Sequence, residues 1–195
     1  AHTDPAAALD AYEKTILAAP QQRLHTDPVV HAYAITARRC GFHREHLVAF
    51  FSSMRADLTH REYSPSELQD YIYGSAEAIG LLCLQIFLAE ENVSPADRAA
   101  MERGARALGS AFQKINFLRD LREDSSTLGR TYFQQAPSGR IDEATKSALI
   151  AEIRRELATA ALTIDLLPAS ARVGVSAAAD IFAELTNRLA ATPAT

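Results

Sequence analysis

The chain has 195 residues, with 20 lysines and arginines against 24 acids and a formal net charge of −4, which allows one domain with a substantial core and leaves too little for two. No long block of like charges occurs, so the concentrated basic face that nucleic-acid binding needs is missing and nucleic acid is not expected as a partner. Cys40 and Cys83 are the two cysteines; they form no CxxC or Cys/His spacing, which argues against zinc or a disulfide framework and for a reducing cytoplasm.

In chain order, apolar residues recur at helical spacing and the alternation a strand needs is almost absent, so the fold class expected is all-α. Helices are predicted over residues 5–19, 28–40, 43–60, 65–90, 95–125, 142–167 and 170–191. Their starts carry capping signals: Asp27 before Pro28, Ser64-Pro65 with Glu67, and Ser94-Pro95 with Asp97. The 65–90 and 95–125 segments exceed the usual helix of about 11–12 residues and hold no interior proline. The apolar run at 78–89 is shorter than the ~20 residues that span a bilayer, and the opening residues do not read as a signal peptide. Residues 125–140, with Ser, Gly and Pro, are predicted as a loop of a length that suggests a functional role.

On the 95–125 helix, Gln113, Asn116, Asp120 and Asp124 fall within an arc of about 80°. Asp120 and Asp124 are one turn apart, about 6 Å along the axis, so both carboxylates can address one space. Hard oxygen ligands so placed suit Mg²⁺, which completes its shell with water and phosphate oxygens. Arg119, Arg122 and Arg130 lie nearby and offer forked donors to phosphate. The competing possibility is that Asp120 and Asp124 are solvated and pair with Arg122 or Arg119 as surface ion pairs that contribute little. Against it stand Phe112, Ile115, Phe117, Leu118 and Leu121, which surround the acids with apolar surface and suggest burial. Asp57, between apolar positions near a helix end, could pair with Arg55 or Arg61 instead. In "DYIYGSAEAIG", the small residues Ala76 and Gly80 permit either close helix packing or room for a long apolar ligand. No Glu-x-x-His, Walker loop, G-x-S-x-G or G-x-G-x-x-G occurs, which argues against di-iron, nucleotide, hydrolase and dinucleotide chemistry.

The run "FQKINFLRDLREDSSTLGRTYF" resembles the second aspartate-rich motif of the squalene and phytoene synthase family, QxxNxxRDxxEDxxxGRxYxP, through Gln113, Asn116, Arg119, Asp120, Glu123 and Asp124 and, one residue later than the pattern's spacing, Gly129, Arg130 and Tyr132. "MRADLTHREY" is similar to the family's MxxDLxxxxY segment and "YIYGSAEAIG" to its YxYxVAGxVG segment, in the family's order. The resemblance implies an isoprenoid (terpenoid) synthase helical bundle around a central cavity, and Mg²⁺-dependent head-to-head condensation of two allylic diphosphates through a cyclopropylcarbinyl diphosphate.

By this resemblance Asp120 and Asp124, aided by Asn116, would hold the metal, Mg²⁺ or alternatively Mn²⁺. Gln113, Arg119 and Arg130 would bind diphosphate, with Tyr73 and Tyr132 on the substrate side, and Tyr71 and Asp57 would line the reacting centre. The run is most like a bacterial phytoene synthase acting on geranylgeranyl diphosphate. A squalene or dehydrosqualene synthase using farnesyl diphosphate is the near alternative, the squalene enzyme with NADPH. A non-catalytic helical binding module, and more distantly a terpene cyclase or head-to-tail prenyltransferase, are the others. An apolar product would suit peripheral contact with a membrane. Among the departures from the pattern are Glu77 for glycine, Lys114 for an apolar residue, and Gln134 for proline. The family's first DxxxD motif has no match, so these residues resemble its central and C-terminal part and are expected to lack turnover by themselves.

Overall fold

A computed structural model describes residues 4–60, 62–123 and 141–194, with side chains to 120 in the second segment. Helices α1 (Pro5–Ala18), α2 (Pro28–Cys40), α3 (Arg44–Thr59), α4 (Pro65–Ile72), α5 (Ala78–Phe87), α6 (Pro95–Glu123), α7 (Glu143–Ile164) and α8 (Ala169–Ala191) account for the secondary structure, with a short 3₁₀ turn at Ala19–Gln21. No extended strand occurs among the described residues. No helix among them is long and apolar enough to cross a membrane.

The capping signals act where the sequence places them. Asp27 Oδ1 accepts from the amides of Val29 and Val30 at 2.8 and 3.1 Å. The Ser64–Glu67 capping box is reciprocal, at 2.8 Å from the Ser64 amide and 3.3 Å from the Glu67 amide. Each such cap is worth about 1 kcal/mol because it satisfies donors with no partner inside the helix.

The segment predicted as one helix over 65–90 is α4 and α5 joined by a π turn at Tyr73–Glu77. Widening the turn requires close support, and α3 supplies it: a Cβ on Gly74 would lie 2.2 Å from the Ala49 carbonyl oxygen and 2.3 Å from Ser53 Oγ. The Tyr71 carbonyl receives hydroxyls from Ser53 at 3.0 Å and Ser75 at 2.7 Å. Turns of this kind concentrate at functional sites.

Helix α6 is the axis of the bundle, packed against α5, the π turn, α7 and α8. It runs antiparallel to α7, with Ser110 bonded to Glu156 and Lys114 to Glu152. One buried cluster joins α4, α6 and α7 through Tyr71, Ile72, Ile115, Phe117, Leu149 and Ile153. A second joins α1, α2 and α3 around Ile16, Val30 and Phe51. A third, made of Leu84, Leu88, Met101 and Leu167, closes the far end of α5 and α6.

Candidate functional site

Between α5, α6, α7 and α8 lies an apolar cavity of about 550 Å³, lined by residues that include Ala76, Ile79, Leu84, Ala105, Phe112 and Leu167. Cavities of this size and character are typical of small-molecule sites. Phe112 and Phe182 stack across its wall with ring centroids 3.7 Å apart. On α6 the lining residues Met101, Ala105, Leu108 and Phe112 recur every three or four positions. At ~100° per residue the series continues into Asn116 and Asp120, all within an arc of about 120°. The apolar lining of α6 thus runs into an amide and a carboxylate at one end.

There Gln113 and Asn116 are half-buried, Arg119 is exposed and Asp120 is half-buried. The Arg119 fork grips both Asp120 oxygens, Nε to Oδ1 at 2.7 Å and Nη2 to Oδ2 at 2.6 Å. Hydrogen bonding from Arg119 holds the Asp120 carboxyl below its usual range, against the opposing effect of burial, so it is ionised at neutral pH. The burial inferred for this carboxylate from its apolar neighbours is incomplete, since Ile115 and Phe117 are buried while the Asp120 side chain is 35% exposed. Asp124, Arg130 and Tyr132 lie outside the described residues.

The Asp120 carboxylate and the Asn116 carbonyl are hard oxygen donors one turn apart, a donor set that fits Mg²⁺. Both carboxylate oxygens are engaged by Arg119, so a cation there would share or displace that fork. A guanidinium beside a carboxylate also offers the two signs that a metal–diphosphate complex requires.

Tyr71 and Asp57 are brought together: the buried Tyr71 donates its hydroxyl to Asp57 Oδ1 at 3.0 Å. The Tyr71 ring lies 6.1 Å from that of Phe117, the residue after Asn116. Arg55, one of the ion-pair partners considered for Asp57, turns to Asp10 at 2.9 Å and to Glu13 on α1. Tyr73 is not part of this group. Its hydroxyl lies 3.1 Å from Nδ1 of His46, and Arg106 sits over its ring at 5.5 Å.

Tyr73 borders a polar groove of about 810 Å³ that also takes in Glu77, Arg106, Ser110, Lys114 and Glu156. The three α6 residues of this groove lie to the side of the helix turned from the apolar cavity. Two of the departures from the family pattern find their partners here, Glu77 with Arg106 Nε at 2.7 Å and the buried Lys114 with Glu152 and Glu156, each at 2.5 Å. Sequence reasoning missed the α7 and α8 walls of the apolar cavity. The available signal was the run of small residues Gly104, Ala105 and Gly109 on one side of α6.

The chain matches the squalene/phytoene synthase family over residues 1–195 and belongs to it. It is 43% identical over 86 residues to phytoene synthase 3, chloroplastic, of Zea mays, a match covering 42% of this chain and 19% of that protein. It is 27% identical over 140 residues to the bifunctional lycopene cyclase/phytoene synthase of Blakeslea trispora, covering 63% of this chain and 23% of the relative. The matches thus span about a fifth of the length of these curated relatives. The fold is that of squalene synthase HpnC from Alicyclobacillus acidocaldarius, with a TM-score of 0.82 at 21% identity over 99% of this chain and 77% of that one. The all-α isoprenoid-synthase expectation is thereby met.

Proposed function

We propose that this chain forms the central and C-terminal part of a phytoene synthase that joins two geranylgeranyl diphosphates head to head. The observation that carries the proposal is that the face of α6 lining the apolar cavity as far as Phe112 continues along the same helix into Asn116 and Asp120. An ionised carboxylate beside an arginine suits the leaving diphosphate, and a dry apolar cavity suits a cation that water would quench. Asn116, Asp120 and Asp124 would hold Mg²⁺, whose charge would stabilise the departing diphosphate. Gln113, Arg119 and Arg130 would bind diphosphate oxygens, with Tyr132 toward the substrate, and the Tyr71–Asp57 pair would present a fixed hydroxyl near the polar end, while Tyr73, turned to His46 and the polar groove, is left out of the substrate side. The matches to proteins named phytoene synthases favour the geranylgeranyl substrate over farnesyl.

The 195 residues contain one of the two acid-rich segments that the chemistry calls for, so they are expected to bind rather than turn over. Titration with inorganic diphosphate by calorimetry should show affinity that depends on Mg²⁺ and falls at least about ten-fold in Asp120→Asn. Metal-independent binding, or an unchanged Asp120→Asn, would remove the site. Formation of phytoene by these residues alone would overturn the division of labour.

A further inference from the structure

On α6 the lining of the apolar cavity is bounded, away from Asn116, by Met101, and that position bears on what the cavity can hold. Met101 is 1% exposed and packs with Leu84 and Leu167, all three facing the cavity. Leu88 stands behind them in the same cluster. Among the lining residues on α6, Met101 is the farthest from Asn116. The separation is fifteen residues of unbroken helix, about 22 Å at the α-helical rise.

An extended all-trans prenyl chain adds roughly 5 Å per isoprene unit, given C–C bonds of about 1.5 Å. Four units, about 20 Å, therefore reach from a diphosphate held at Asn116 to the Met101 wall, three units stop about one unit short, and five overrun it. A void left by the shorter chain forfeits contacts with the lining, while the longer chain must bend or displace a packed side chain.

We propose that Met101, backed by Leu84 and Leu167, is the chain-length stop of this cavity and sets its preference at twenty carbons. The proposal rests on the function given above for which end of the cavity receives the charged group, but its test needs no diphosphate. Methionine is a suitable stop because its unbranched thioether fills an irregular end wall. Ala105 lies one turn nearer the polar end, so a larger side chain there would shorten the cavity by about 6 Å, close to one isoprene unit.

Farnesol, geranylgeraniol and geranylfarnesol, which carry 15, 20 and 25 carbons by their chemistry, should displace 1-anilinonaphthalene-8-sulfonate from the protein with graded affinity. The expected pattern is a gain of about ten-fold from the first to the second, as one more unit is buried, and no gain to the third. Met101→Ala should extend the gain to geranylfarnesol, and Ala105→Leu should make farnesol and geranylgeraniol equal. Circular dichroism verifies that each variant keeps its helices, and Leu84→Ala serves as the second lengthening variant should Met101→Ala lose them. Affinity that rises evenly through geranylfarnesol in the unmodified protein would overturn the proposal, as would an unmoved cut-off in folded Met101→Ala or Leu84→Ala. Because the alcohols carry no charge, a failure here leaves Mg²⁺-dependent diphosphate binding intact. Loss of that binding with the length cut-off preserved would instead overturn the catalytic assignment.

Discussion

Replacing Lys114 by leucine restores the apolar character that the family pattern has at this position, yet it should destabilise this chain. The Lys114 ammonium is 11% exposed and lies 2.5 Å from both Glu152 and Glu156, whose side chains are 46% and 21% exposed. Ser110 adds a hydrogen bond to Glu156 at 2.9 Å. Burial raises the Glu156 pKa even with Lys114 beside it, while the two glutamates hold the ammonium charged against the opposing effect of its own burial. Breaking a fully buried pair costs about 3–5 kcal/mol; the partial exposure of the glutamates brings Lys114→Leu to about 2–3 kcal/mol at pH 7.5. In a domain of this size that lowers the melting temperature by about 5–10 °C. The deficit should shrink as pH falls toward 4.5, because a carboxyl whose folded pKa is raised favours folding in its protonated form and loses that advantage as pH rises through the folded value. Adding Glu156→Leu should recover most of the loss, since a well-packed apolar pair can replace an ionic one at little cost. Urea titrations of the two variants at pH 5 and 7.5 measure these differences. A single variant as stable as the parent at pH 7.5, or a double variant less stable than the single, would refute the reasoning.

Gly104→Ala should cost about 1–3 kcal/mol, because its Cβ would fall 1.8 Å from Thr163 Oγ1, and overpacking at a helix crossing forces both backbones apart; Thr163→Ala in the same chain should return part of the loss in thermal melts. Burial holds the His46 pKa below its usual 6.5, with Glu45, His43, Glu102 and Arg106 as the surrounding charges. Stability should therefore decline as pH falls from about 6.5 through the lowered value, and His46→Gln should flatten that slope in denaturant midpoints. Tyr71→Phe removes the donor to Asp57 and should lower stability by about 1 kcal/mol while the helical dichroism stays unchanged. Arg119→Gln frees the Asp120 oxygens, so Mg²⁺ alone should bind several-fold tighter and inorganic diphosphate more weakly; both affinities falling together in calorimetry would count against separate roles.

The helices were legible because their ends are written locally, as in Asp27-Pro28 and the Ser64–Glu67 box, and because the apolar spacing between the ends is regular. The polar run from Gln113 to Asp120 was legible because a chemical requirement fixes residue types at fixed intervals on one helix. The π turn was not. Tyr73 to Glu77 carry no signal of their own, and the turn exists because Gly74 lets the Ala49 backbone and Ser53 come close. Tyr71 and Tyr73, grouped from sequence as neighbours on one substrate, consequently part company, one toward Asp57 and the other toward His46. The walls of the apolar cavity were equally hidden, because Ile164 and Val175 reach it from α7 and α8, and long-range packing has no periodicity to read.

Glu77 and Lys114 show how a family pattern and a particular chain can disagree without contradiction. Each substitution places a charge where the pattern has none, and both charges lie on the polar-groove side of α6 rather than in the apolar cavity. There Arg106 and the α7 glutamates partner them. A charge on the other side of α6, among Ala105, Leu108 and Phe112, would have no partner to offset its desolvation and would spoil an apolar lining. Tolerance to charge on one side and intolerance on the other follow from α6 serving two purposes. One face joins the bundle through polar contacts that compensating substitutions can rewrite, while the other is held to an unbroken apolar path ending at Asn116 and Asp120.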